Sequence, residues 1–160
     1  KPGRAPNMKP LRRQDRQLSP QEALQLLEGG EYGIVSTVDA AGQPYGVPVN
    51  YVLKKGCIDF HSATEGHKID NFQNSGLVSF CVVGETEVIP EKLTTRYESI
   101  IVFGSISERV GTGKTESLTA LVEKYAPKHT EVGQKSIQSS GSETRVFSIS
   151  IDRITGKALK

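Results

Sequence analysis

No apolar run in the 160 residues of this chain approaches the roughly 20 that a helix needs to cross a bilayer. No secretory leader is visible either, so a cytoplasmic protein is expected. Cysteine is scarce: Cys57 and Cys81 are the only two, and they form neither a C-x-x-C pair nor a metal-ligand spacing. Both therefore read as small core hydrophobes in a reducing compartment, and no metal centre is expected. Charge of one sign is missing as well. A formal net charge of +2 points neither to nucleic acid nor to an acidic substrate. There are no internal repeats and no βαβ alternation, which argues against a parallel sheet. One apparent motif is incomplete. Gly111-Thr-Gly-Lys-Thr115 looks like a phosphate loop, but the first glycine of such a loop would fall on Glu108, and no parallel βα unit follows.

What is present fits one domain, spanning residues 8–160. Residues 1–7, ahead of Met8, read as an expression remnant. Lys9, Arg12, Arg13 and Arg16 make a basic arm without interleaved aromatics, suited to solvent or a partner surface. Ser19-Pro-Gln-Glu22 is a capping box with Pro at the first helical position, and it predicts a short helix with Ala23, Leu24 and Leu27 on one face, ending at Gly29-Gly30. From Tyr32 the period becomes two. Strands are expected at Tyr32 to Val38, Tyr45 to Leu53, Cys57 to His61, Val78 to Val83, Ser99 to Glu108 and Arg145 to Asp152. Asp39 to Gly42 and Lys54 to Gly56 supply hairpin turns. Ile100 to Phe103 is apolar throughout and suggests a strand covered on both faces. Gly84 to Arg96 reads as a long functional loop, and Lys128 to Thr144 as a mobile Ser-, Gly- and Gln-rich segment. A helix carrying Leu118, Leu121, Val122 and Tyr125 lies between these two segments. Six strands joined mainly by hairpins predict a mainly β protein, a small antiparallel barrel with peripheral helices.

Two stretches look least like anonymous core. Pro48 cannot donate to a ladder, and its face also carries Gly46 and Asn50, small and polar; it faces either a ligand or plain solvent. The second stretch runs from Ile58 to Asn74. A strand ends at His61, a turn of Ser62, Ala63 and Thr64 follows, and a helix with Thr64 as N-cap is expected, anchored by Ile69 and Phe72. Lys68 sits in the first turn of that helix, where the dipole disfavours a cation. Free N–H groups, hydroxyls and a lysine converging there would receive a phosphate, although a lone lysine is otherwise a solvated surface charge.

The ordered set Glu31-Tyr-Gly, Gln43-Pro-Tyr-Gly-Val-Pro-Val-Asn-Tyr51, Phe60-His-Ser-Ala63, Glu65-Gly-His-Lys68, Val78-Ser-Phe-Cys-Val-Val-Gly84, Thr94-Thr-Arg-Tyr-Glu-Ser99 and Ile154-Thr-Gly-Lys157 resembles the pyridoxamine 5′-phosphate oxidase-like family, in particular its nitroimidazole-resistance branch. The resemblance runs from about Leu11 to the end. It implies a six-stranded Greek-key split β-barrel that binds FMN at the interface of a homodimer. It places Val47, Pro48, Val49 and Asn50 beside the flavin ring and Phe60, His61, Ser62, Ala63, His67 and Lys68 at the strand end and phosphate. Ser99 would lie near the ring or its tail. His61 would be the catalytic residue, with a structural histidine or a haem ligand as the competing roles. The implied activity is reduction of a nitroaromatic or related small electrophile with a nicotinamide donor, NADH or NADPH. The alternative is a flavin- or haem-binding protein without turnover. Basic residues that hold substrate phosphate in the vitamin B6 oxidases have no counterpart near this C-terminus, so pyridoxamine phosphate is not the expected substrate. Gln138 to Glu143 matches no motif of the family.

Overall fold

The computed structural model describes residues 9–160; the remnant assigned to residues 1–7 lies outside them, with Met8. The chain opens with helix α1 (Pro20–Gly29), whose capping box forms as read: Ser19 Oγ accepts from Glu22 N, and Glu22 returns the bond to Ser19 N. Ala23 and Leu27 are buried by it. Leu24 is 41% exposed, and Leu26 packs against the core instead.

Eight strands follow rather than six: β1 (Gly33–Val38), β2 (Pro44–Val49), β3 (Val52–Lys54), β4 (Cys57–Ser62), β5 (Leu77–Ile89), β6 (Thr94–Arg109), β7 (Arg145–Ser150) and β8 (Arg153–Leu159). Every pairing is antiparallel, in the order β2-β1-β5-β6-β7-β4-β3, with β8 also on β6. The sheet is open, as in a split barrel, and β2 and β3 are its ends. The expected strand from Tyr45 to Leu53 is thus two strands at opposite edges. Alternation survives the break because Tyr51 still points into the core, fully buried. At the crossing, Tyr51 N donates to Tyr125 Oη at 2.9 Å and Asn50 Nδ2 donates to Glu31 O at 3.0 Å, so side chains satisfy what a ladder would have satisfied.

Strand β6 joins the two halves. It pairs with β8 as far as Phe103 and with β5 as far as Ser105, then with β7 from Ile106 onward. Gly104 stands at the change, where a Cβ would collide with the carbonyl of Ser150. Only one face of its apolar run is covered: Ile100 and Val102 are fully buried, Ile101 is 42% exposed and Phe103 half-buried. The expected loop from Gly84 to Arg96 is instead a two-stranded ribbon, closed by a 3-10 turn at Pro90–Lys92 and by Leu93 in the left-handed region. The ribbon's apolar residues, Val88, Ile89 and Leu93, cluster at the tip and the rest is polar on both faces, so there is no period-two signature to read.

The remaining helices are α2 (His67–Asn74), α3 (Gly111–Tyr125) and α4 (Thr130–Ser140). Helix α4 occupies the segment expected to be mobile. It has no side-chain cap and no buried residue of its own, so nothing local announces it. It lies on α3 because Gly133 lets it; a Cβ there would collide with Val122. Inside the barrel, Phe60, Phe72 and Phe147 pack ring against ring, beside an edge-on pair of Tyr51 and Phe80. No helix among the described residues is long and apolar enough to cross a membrane.

Candidate functional site

The site is built on the end of β4 and the turn into α2. Ile58, Phe60 and Ser62 share the barrel face of β4, while Asp59 and His61 share the face towards α3. His61 and Ser62, adjacent in sequence, therefore serve two sides of one strand end. Ser62 is buried, and its hydroxyl has no hydrogen-bond partner. A buried, unsatisfied hydroxyl is costly and marks a place where a ligand atom or water belongs.

Helix α2 starts later than the expected Thr64 cap. Its N-cap is Gly66, at φ 143° and without a side-chain bond, so the backbone swings through a conformation that favours glycine. The first N–H groups bonded within the helix are those of Ile69 and Asp70, both to Gly66 O. Those of His67 and Lys68 are left facing the turn. Ile69 and Phe72 anchor the helix as read, and Asn71 Nδ2 donates to Thr37 Oγ1 at 2.9 Å. The His67 ring stacks on Tyr45 of β2, centroids 4.1 Å apart and planes 23° apart. The turn is thereby clipped to the edge strand that carries Val47, Pro48 and Val49.

On that strand Val47 and Val49 pack against the core, and Pro48 is exposed. Asn50 lies just beyond, where the chain crosses to β3. Ala63 and His67 are exposed, Lys68 is half-buried and Phe60 is fully buried. Ser99 is not brought to the turn. It sits on β6 between Val83 and Lys157, ten residues before Arg109, the end of β6 that pairs beside β4. It does share the outward face of the sheet with Ile101 and Phe103.

Asn50 and His61 meet at a cavity of about 360 Å³ between β4 and the α3–α4 hairpin, walled mainly by Leu118, Leu121, Val122 and Ile137. His61 can be reached by solvent, yet burial of its ring and the neighbouring charge of Lys68 both lower its pKa. The imidazole is therefore neutral at pH 7 and can donate one N–H.

Arg145 is a functional candidate that sequence reasoning missed. Paired with Ser62 across β4 and β7, it donates from Nη1 to Thr64 O at 3.2 Å and holds the turn in place. Its Nε and Nη2 also grip Glu108 at 2.9 Å each, and this holds the Glu108 carboxyl below its ordinary range. An arginine at the start of an alternating strand carries no signal of such a role. Of the cavity walls, Leu118, Leu121 and Val122 were read as one helix face, while Ile137 was missed with α4.

Residues 19–158 match the model of the family described as pyridoxamine 5′-phosphate oxidase. No curated protein sequence matches the chain. Among solved structures, the FAD and heme binding protein from Mycobacterium smegmatis superposes with a TM-score of 0.79 at 19% identity, over 91% of this chain and 74% of that one. The flavocytochrome Anf3 from Azotobacter vinelandii gives 0.78 at 15% identity, over 98% and 75%. A candidate 5-nitroimidazole antibiotic resistance protein from Bacteroides thetaiotaomicron gives 0.73 at 19% identity, over 89% and 86%.

Proposed function

The chain belongs to the pyridoxamine 5′-phosphate oxidase family, and on that premise we propose that it is a flavin-dependent oxidoreductase, binding FMN as a homodimer and reducing a small nitroaromatic or related electrophile with a nicotinamide donor. The observation that carries this reading is the unpartnered, buried hydroxyl of Ser62 at a turn that also offers the N–H groups of His67 and Lys68 and the Lys68 ammonium. That donor set fits a phosphate monoester. Bound flavin would supply the redox chemistry, accepting and passing on a hydride. The protein would supply the rest. The Ser62–Lys68 turn holds the phosphate, and the edge strand from Val47 to Asn50 lies beside the ring. His61 offers its N–H to a substrate on the α3 side.

The dimer is supported by the outward face of the sheet, where Leu77, Val83 and Ile101 stay exposed beside the half-buried Cys81 and Phe103. In a pair of chains, Ser99 on that face would reach the partner's ligand rather than its own. The names of two structural relatives pair a flavin with haem, and the His61 ring has no hydrogen bond among the described residues, so a haem-binding role is the second reading. Colour separates the two: flavin shows paired bands in the near-ultraviolet and blue, haem a single intense Soret band.

Lys68→Ala tests the first reading. Losing a charge-assisted bond worth about 1.5–3 kcal/mol should weaken FMN by roughly 10- to 150-fold and leave riboflavin, which has no phosphate, nearly unchanged. Equal losses for both ligands would take Lys68 out of the phosphate site. Stopped-flow reduction of the bound flavin by NADH or NADPH tests the activity, and no reduction by either would leave a carrier.

A further inference from the structure

The cavity between β4 and the α3–α4 hairpin is not needed to hold a phosphate, and its chemistry differs from that of the turn. No lysine, arginine, aspartate or glutamate lines it. Several polar groups on its wall are already engaged: Asn50 Nδ2 with Glu31 O, Tyr125 Oη with Tyr51 and Glu31, and Thr144 Oγ1 with Ser140 O at 3.4 Å. His61 differs, for neither of its ring nitrogens is hydrogen-bonded among the described residues. Ser136 and Ser140 add two neutral hydroxyls from α4, and the rest of the wall is largely aliphatic, with Leu118, Leu121 and Val122 from one helix facing Ile137 from the other. A charged molecule entering this space would lose water and find no counter-charge, which is costly. A flat neutral ring loses little and gains apolar contact on both sides.

We propose that this pocket binds an uncharged aromatic molecule, gripped between α3 and α4 and hydrogen-bonded to His61, and that α4 decides which molecules fit. Seating of the ligand follows from this chain's own geometry. That the seated molecule is the electron acceptor rests on the flavin reading above. The same absence of a cation on the wall disfavours a phosphorylated pyridoxamine here.

Two probes of nearly the same shape, neutral 4-nitrobenzyl alcohol and anionic 4-nitrobenzoate, are titrated into the full chain with and without flavin and followed by NMR. The alcohol should bind at least about tenfold more tightly than the carboxylate. Its ring protons should show nuclear Overhauser contacts to methyl groups of Leu118, Leu121, Val122 and Ile137. Ile137→Trp, which fills the pocket, should weaken the alcohol by about tenfold or more while flavin uptake, read from visible absorbance, is unchanged. Equal affinity for the two probes, or a saturated complex of the unaltered protein without those methyl contacts, overturns the proposal. Flavin taken up without seating of the alcohol would sink the pocket and leave the flavin reading standing. Seating without flavin uptake would do the reverse.

Discussion

At the scale of single residues, His61 and Lys68 are coupled by charge as well as by position. Burial and the Lys68 ammonium both lower the pKa of His61, so its NMR titration midpoint should lie below 6.5. Removing the charge in Lys68→Met should move that midpoint upward, and an unchanged midpoint would show that burial alone sets it. The sign for stability follows. A histidine that is harder to protonate when folded contributes fully above pH 6.5, and its contribution is lost as pH falls from there through the folded pKa. For chemistry, a neutral imidazole is a hydrogen-bond donor first and a proton source only as pH drops. His61→Ala should therefore keep FMN within a few-fold and leave reduction by the nicotinamide intact. Reoxidation by a nitroimidazole should slow by about 100-fold or more. Loss of the yellow cofactor would indicate a structural histidine instead.

Among the elements, α3 is tethered at its middle and at its end, and the tethers hold the roof over the cavity. At its middle, Ser117 Oγ donates to the fully buried Asp59 at 2.7 Å. Near its end, Lys124 Nζ donates to Gly30 O at 2.7 Å and Tyr51 O at 2.9 Å while lying 4.0 Å from the Tyr51 ring centroid. The ammonium thus ties α3 to the end of α1 and to the crossing between β2 and β3. Lys124→Met keeps the aliphatic stem but removes both bonds and leaves Gly30 O unpaired, while Tyr51 O keeps its bond from Tyr125 Oη at 2.8 Å. A stability loss of about 1.5–3 kcal/mol is expected, measured by urea unfolding. A change within 0.5 kcal/mol would reduce the lysine to a surface group. Element types were largely readable. The capping box of α1, the glycine-bearing hairpins and the alternation of β1, β5 and β7 are written in neighbouring residues. The ribbon between Gly84 and Arg96 and helix α4 were not, since one keeps its few apolar residues at its tip without alternation and the other is held by Val122 and Thr119 of a different helix.

For the whole molecule, the expected homodimer turns on the outward face of the sheet. Val83 and Leu77 are 59% and 64% exposed, and Ile101 lies between the half-buried Phe103 and Ser99. Light scattering at micromolar concentration should give twice 17.4 kDa. Ile101→Glu should shift it towards one chain and weaken FMN in parallel, because Ser99 would then have no partner site to complete. A monomer that still binds flavin tightly would remove the interface from the site.

The sequence by itself determined the family, the mainly β class, the edge position of Pro48 and the unusual turn from Ser62 to Lys68. Each of these depends on residues close together in the chain: proline without a donor, glycine in a turn, a lysine at a helix start. Only the tertiary structure decided that His61 and Ser62 look to opposite sides of β4, that Arg145 holds the turn and that α4 roofs a cavity. It also set Ser99 on a face that looks away from its own turn. Those facts depend on which distant segments share a surface, and hydrophobic periodicity reports that a face is buried without reporting what covers it.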